Sequence, residues 1–194
     1  MSISLVAGLG NPGRDYATTR HNLGWVLIEA FAQKRGLTWK THSQFDADIA
    51  RWDRPGQPSV YFVKPLTFMN ESGVAVSAVA RFYKLLPAST LAIYDDLTIN
   101  LGLVKVSVAG SAGGHNGVAS LLQHLGDGFV RYRLGIGPKD PPQMDLKDFV
   151  LGKFTPEQQI LVTQQLVSYL SGLDLLLSRG TEAAMNQLNR REPK

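Results

Sequence analysis

The chain has 194 residues, 44% of them hydrophobic and 19% charged, which is enough for one substantial core, so a single domain over residues 1–194 is expected. It contains no cysteine, which excludes a disulfide framework, thiolate catalysis and Cys-built zinc sites, and points to a reducing, cytoplasmic setting. Twenty Lys+Arg against sixteen Asp+Glu give a net charge of +4, which suits a polyanionic partner; no Lys/Arg run exceeds two residues, however, and a mixed solvated surface accounts for the charge at least as well.

In chain order, Ile3 to Leu9 reads as a short buried strand that ends in glycine. A polar loop follows, and then an amphipathic helix from Asn22 to Lys34. The start Met1-Ser2-Ile3-Ser4-Leu5-Val6 has no basic stretch and its apolar run breaks at Gly8. Neither an export signal nor a membrane-spanning stretch is expected from this sequence. The apolar runs Val60 to Val63 and Leu91 to Tyr94 are further strands. Between them a helical pattern passes through Val74, Val79 and Phe82 and is ended by Pro87, which makes a parallel crossover the simplest reading. Leu103 to Val108 and Arg131 to Ile136 alternate as strands on either side of a helix from Gly117 to Leu125.

Thr155-Pro156-Glu157-Gln158 is a strong helix start: Thr as N-cap, Pro at the first helical position and Gln placed to complete a capping box. A long helix should run to about Gly180, with a second short one from Thr181 and a fraying tail Arg190-Arg191-Glu192-Pro193-Lys194. Alternating strands and helices place the chain in the α/β class. The expected loops are Gly10 to Arg20, Thr67 to Asn70, Ala109 to His115 and Gly137 to Met144, and most follow predicted strands, where open α/β sheets hold their ligands.

Three motifs could carry chemistry. Gly8-Leu9-Gly10-Asn11-Pro12-Gly13 matches a dinucleotide-binding glycine pattern, but Pro12 and a polar stretch separate it from the helix whose N-terminal amides would have to meet a pyrophosphate. Glu29 lies inside that helix and not at the end of a second strand. Ala109-Gly110-Ser111-Ala112-Gly113 is similar to a nucleophile elbow, which makes a serine esterase the rival from residues alone. Glycines follow Ser111 where a helix should begin at once, and the chain order Ser, acid, His yields no good triad.

The third constellation is dispersed: Asn11, His21, Asn70, Asp95 and Asn116, each in a predicted loop, at a strand end or at a helix start. Singly each has a structural reading, since Asn22, Asn70 and Asn116 could cap helices and Asp95 could hold a turn. Together they suit hydrolysis of an activated acyl group. A histidine can take a proton from water near neutral pH, a carboxylate can hold its imidazole in one tautomer, and Asn amides can donate to an oxyanion. Metal catalysis does not suit the set, because His21, His42, His115 and His124 include no H-x-x-x-H pair.

Set beside one another, Gly8 to Gly13, Tyr16, Thr19-Arg20-His21-Asn22-x-Gly24, Pro65-x-Thr67-Phe68-Met69-Asn70-x-Ser72-Gly73, Asp95-Asp96-Leu97, Gly113-Gly114-His115-Asn116-Gly117, Arg133 to Gly137 and Phe149 to Gly152 resemble bacterial peptidyl-tRNA hydrolases, in order and over essentially the whole chain. The resemblance implies an α/β single domain with a mixed twisted β-sheet flanked by helices, acting as a monomer without metal or organic cofactor. The implied reaction is hydrolysis of the ester between a peptide and the 3′ end of tRNA, without a covalent enzyme intermediate. By the resemblance His21 is the general base, Asp95 its orienting carboxylate, and Asn11 the group that positions water and supports the oxyanion. Asn70 and Asn116 correspond to contacts with the peptide and the CCA end, Tyr16, Phe68 and Met69 surround the scissile end, and His115 lies near a mobile rim. Lys105 and Arg133 correspond to a phosphate-binding surface on the acceptor stem. Two departures stand out: Ser107 occupies a position that is commonly Lys, and Asp96 and Thr98 replace the usual Glu and Asp of the acidic turn.

Overall fold

The computed structural model describes residues 2–189. Seven strands, β1 (Leu5–Gly8), β2 (Trp39–His42), β3 (Ala47–Arg54), β4 (Gln57–Pro65), β5 (Thr90–Asn100), β6 (Val104–Ser107) and β7 (Val130–Gly137), form one sheet in the order β2-β3-β4-β1-β5-β7-β6. The central strands β4, β1, β5 and β7 run parallel, whereas β2 and β3 on one side and β6 on the other are antiparallel to their neighbours. The helices are α1 (Leu23–Lys34), α2 (Ser72–Phe82), α3 (Asn116–His124), α4 (Leu146–Leu151) and α5 (Pro156–Leu188).

The two faces of the sheet follow from strand alternation. Val6, Phe62, Leu91 and Ile93 face α1 and α5, where Leu27, Phe31, Tyr169 and Leu173 are buried. Leu5, Ala7, Val63 and Ala92 face the other way, against Val76 and Val79 of α2 and Val118 and Leu121 of α3. Each fully buried aliphatic or aromatic side chain contributes on the order of 2 kcal/mol, so the two faces supply the driving force for a three-layer arrangement. α2 and α3 pack very closely. A Cβ on Gly73 would lie 2.0 Å from the Ser120 carbonyl oxygen, and the Gly73 N–H donates to the Ser120 hydroxyl at 2.9 Å.

The α/β alternation and the central strands agree with the sequence reading, and several details differ from it. α2 ends at Phe82, before Pro87: Lys84 adopts φ 56°, the Leu85 N–H donates to the Ala80 carbonyl, and Pro87 instead opens a 3₁₀ turn that leads into β5. The hairpin of β2 and β3 was not expected, nor was α4, whose N-terminus Asp145 caps. The Thr155 capping box is present, and Gly180, with φ 83° and ψ 175°, breaks α5 where a second short helix was expected. α5 is long and apolar enough by composition to cross a membrane, contrary to the reading that no stretch would be. Its Tyr169, Leu173 and Leu176 are nonetheless buried against the sheet, while Ile160 and Val167 stay exposed. The expected fraying of 190–194 lies outside the described residues.

The consequence for function is positional. β1 lies between β4 and β5, all three parallel, so the segments that follow them emerge at one edge of the sheet. The glycine-rich segment after β6 arrives differently. β6 is antiparallel, with Ser107 paired to Arg131, and the loop turns back over the sheet to begin α3 beside Asp95.

Candidate active site

His21 sits in a 3₁₀ turn, Arg20–Asn22, between the loop after β1 and the start of α1. Its position depends on how near α1 approaches the sheet: a Cβ on Gly24 would lie 2.4 Å from the Ile93 carbonyl oxygen and 2.7 Å from that of Leu9, so only glycine lets the helix begin there. Arg20 anchors the same turn from the other side. Its guanidinium donates to the Phe149 carbonyl and to Gln158, lies 4.4 Å from the Phe149 ring centroid, and is itself buried, which works against its charge. The Asn22 amide does not cap α1. It accepts from the Asn11 backbone N–H and donates to the Asn11 carbonyl, both at 2.9 Å, tying the loop after β1 to the turn that carries His21.

Asp95, near the middle of β5 and 2% exposed, meets His21 across seventy-four positions of sequence. His21 Nδ1 is 2.9 Å from Oδ1 and 3.0 Å from Oδ2. Burial alone would push the Asp95 carboxyl up, but the charge interactions and hydrogen bonds of His21 and His115 overcome it and hold it well below the ordinary carboxylate range. An ionised carboxylate only accepts, so the proton of the neutral imidazole is on Nδ1 and the Nε2 lone pair is left for a proton in the cleft.

This pair opens onto a cleft of about 900 Å³. Asn11, Tyr16, Phe68, Met69 and Asn70 line it from the loops after β1 and β4, and His115, Asn116 and Arg133 from the other side. The Asn11 Oδ1 accepts from the Met69 N–H at 2.7 Å, which orients the amide and leaves its nitrogen for the cavity. Tyr16 and Phe68 meet edge to face, with centroids 6.3 Å apart, and Phe68 is largely exposed at the mouth. Asn70 and Asn116 do not cap helices, contrary to that alternative reading; α3 is capped by His115, one residue earlier.

Arg133 lines the cleft but is not free of partners: its Nε donates to Asp96 Oδ2 at 2.8 Å and its Nη2 to Thr98 at 3.2 Å. Asp96 is held below its ordinary range: burial raises it, and the bonds from Thr98 and Arg133 outweigh that. The two departures in the acidic turn thus form a seat for Arg133. Lys105 is paired in register with Arg133 on the neighbouring strand, exposed and outside the cleft wall.

Sequence reasoning gave no site role to Arg20, Asn22, Tyr94 or Arg131. The first two flank His21 in the motif already noted, which was the available signal. Arg131 is 3% exposed and donates to the carbonyls of Gly110 and Ser111, pinning the glycine-rich loop to β7. Ser111 therefore sits on an exposed loop, and among the described residues no histidine bonds its hydroxyl.

One atom each of His21, Asp95 and His115 lie within 4.8 Å of one another, a set that could hold a metal by distance alone. Its hydrogen bonding does not fit that role. A metal-bound imidazole offers one lone pair and donates through its other N–H, whereas His115 Nδ1 already accepts from the N–H groups of Gly117 and Val118.

The family model described as peptidyl-tRNA hydrolase matches residues 5–194. A protein named peptidyl-tRNA hydrolase from Chloroflexus aggregans is 43% identical over 187 residues, 95% of this chain and 98% of that protein. One of the same name from Gloeobacter violaceus is 40% identical over 192 residues, 98% and 96% of the two chains. The crystal structure of peptidyl-tRNA hydrolase from Acinetobacter baumannii superposes with a TM-score of 0.89 at 37% identity, covering 99% of this chain and 97% of that one.

Proposed function

The chain belongs to the peptidyl-tRNA hydrolase family, and on that premise we propose that His21 is the general base of its reaction, with Asp95 as orienting carboxylate and Asn11 as the oxyanion donor. The enzyme hydrolyses the ester between the peptide and the tRNA 3′ end. His21 Nε2 takes a proton from water, which adds to the ester carbonyl. The Asn11 amide N–H supports the tetrahedral oxyanion, and the tRNA 3′ oxygen leaves with a proton. No covalent intermediate forms.

The single observation that carries this reading is the buried His21–Asp95 pair at the head of a cleft that Asn11, Asn70 and Asn116 also line. Asn70 and Asn116 contact the peptide and the CCA end, and Tyr16, Phe68 and Met69 enclose the scissile end. His115, expected near a rim, instead packs its nearly buried ring against Asp95, 3.1 Å away, and Arg133 with the exposed Lys105 receives acceptor-stem phosphate. The protein works as a cytoplasmic, monomeric single domain that does not require a membrane, a metal or an organic cofactor.

The test is incubation with an N-acylated aminoacyl-tRNA. The wild type should release tRNA, and His21→Ala should lose about 10² to 10⁴ in kcat while keeping its tRNA affinity and its fold. Retention of most activity by the folded variant would refute the base assignment.

A further inference from the structure

Asp95 does not face His21 alone. Its Oδ1 also lies 3.1 Å from His115 Nε2, and the two imidazole rings sit 4.7 Å apart, centroid to centroid. The opposite edge of His115 is engaged as well: Nδ1 accepts from the backbone N–H groups of Gly117 at 3.2 Å and Val118 at 3.3 Å, which makes this imidazole the N-cap of α3. A ring nitrogen that accepts hydrogen bonds carries a lone pair, so the single proton of the neutral ring is on the other nitrogen, against Asp95.

We propose that capping α3 locks His115 in its Nε2–H tautomer, making it a second, permanent donor to Asp95, and that this donor sets the strength of His21 as a base. The inference rests on the reading of His21 as the base. The physics is competition for one carboxylate. A hydrogen bond to a charged group is worth roughly 1.5 to 3 kcal/mol, and negative charge neutralised by His115 is unavailable to the imidazolium that forms on His21. His115 is thus a positioning residue that acts through Asp95. It also links the start of α3, and with it the adjacent cleft residue Asn116, to the acid–base pair.

The other titratable groups around the trio among the described residues are Tyr16 from the loop after β1, Tyr94, whose ring is 5.0 Å from that of His115, the Asp96–Arg133 pair, Arg131 beneath the glycine-rich loop, and Asp145 and Lys147 at the start of α4. All are common to wild type and variants, so two substitutions at position 115 can separate the two edges of the ring. In His115→Asn the amide oxygen reaches about where Nδ1 lies and caps α3, but nothing reaches Asp95. In His115→Gln the amide nitrogen reaches about where Nε2 lies and donates to Asp95, while the cap is lost.

The experiment measures kcat/KM against pH with an N-acylated aminoacyl-tRNA for wild type, His115→Asn and His115→Gln, together with long-range ¹H–¹⁵N NMR spectra of the wild-type histidines. His115→Asn should move the acidic limb to higher pH, lowering kcat/KM on that limb by about threefold or more relative to the plateau. His115→Gln should keep the limb at its wild-type position while thermal stability falls. The spectra should show His115 with a pyrrole-type Nε2 and a pyridine-type Nδ1. A limb that overlays wild type in the Asn variant, one that moves equally in both variants, or a protonated Nδ1 in the spectra would overturn the inference. The spectra decide the tautomer even if neither variant folds. An inactive His21→Ala alongside an unmoved Asn limb sinks this inference alone, whereas an active His21→Ala sinks the reading beneath it.

Discussion

Replacing Asp95 by Asn removes one charge from a buried polar cluster and changes the shape of the site very little. The transition state places a positive charge on His21, about 4 Å from the centre of a carboxylate whose oxygens are 2.9 and 3.0 Å from Nδ1. At an effective dielectric of about 20, that attraction is worth about 4 kcal/mol, or close to a thousandfold in rate. The amide also has only one acceptor atom. If it faces the shared position of Oδ1, its NH₂ group stands where Oδ2 accepted from His21, donor against donor, and the imidazole is driven towards the tautomer with its proton on Nε2. The expected loss in kcat is therefore about 10³ to 10⁴.

The pH profile supplies the second readout. The Asp95 carboxyl is held below its ordinary range, so in wild type it stays ionised across the assay range and the acidic limb of kcat/KM reports the imidazole. Removing the anion disfavours the charged ring, so the limb should move to lower pH in the variant. Stability follows the carboxylate. Because its folded value is depressed, the Asp95 contribution is present above the ordinary carboxylate range and is lost as pH falls through the folded value, so wild type should show an acid destabilisation that Asp95→Asn lacks in part. Single-turnover assays with N-acylated aminoacyl-tRNA from pH 5 to 9 would measure the first two effects. Full activity with an overlaid profile, or a limb moved upward, would refute the pairing.

Ser111→Ala should leave kcat within about twofold of wild type, since among the described residues no histidine or carboxylate hydrogen-bonds its hydroxyl; a fall of several orders of magnitude in the folded variant would restore the serine-esterase mechanism. Arg133→Ala should raise KM, both by losing a phosphate contact and by leaving Asp96 unneutralised beside the cleft, and flatten its salt dependence by about one phosphate contact, with kcat at saturation little changed; an unchanged slope of log KM against log salt would show that Arg133 only serves Asp96. Gly73→Ala drives a Cβ to 2.0 Å from the Ser120 carbonyl oxygen, so α2 and α3 must separate at a cost of about 1 to 3 kcal/mol, seen as a fall of roughly 2 to 12 °C in Tm by calorimetry; an unchanged Tm would mean that the helix pair is not closely packed there.

Local rules carried what depends on neighbours in sequence. The capping box at Thr155, the break at Gly180, the strands Leu5–Gly8 and Val130–Gly137 and the loops after them all follow from short-range propensity, hydrogen bonding and alternation, and were legible. The family resemblance named the site residues, but the residues alone left each of them with a structural alternative. The β2–β3 hairpin was missed because Trp39–His42 is short, only partly covered and without a clear apolar alternation.

Short-range patterning could not decide which distant groups meet; the resemblance implied that Asp95 orients His21, and the fold supplies the physical reason. Asp95 reaches His21 because β1 and β5 pair in parallel, and no periodicity in either segment specifies its neighbour in the sheet. The identity of the α3 cap turned on a single residue, His115 in place of Asn116, because the His115 ring is the group that meets the Gly117 and Val118 N–H groups. Arg20 and Arg133 look alike as surface cations in the sequence. One is buried as an anchor and the other is seated at the cleft by Asp96 and Thr98, because a long side chain takes its role from the partners that folding brings within about 3 Å, and sequence distance says nothing about those.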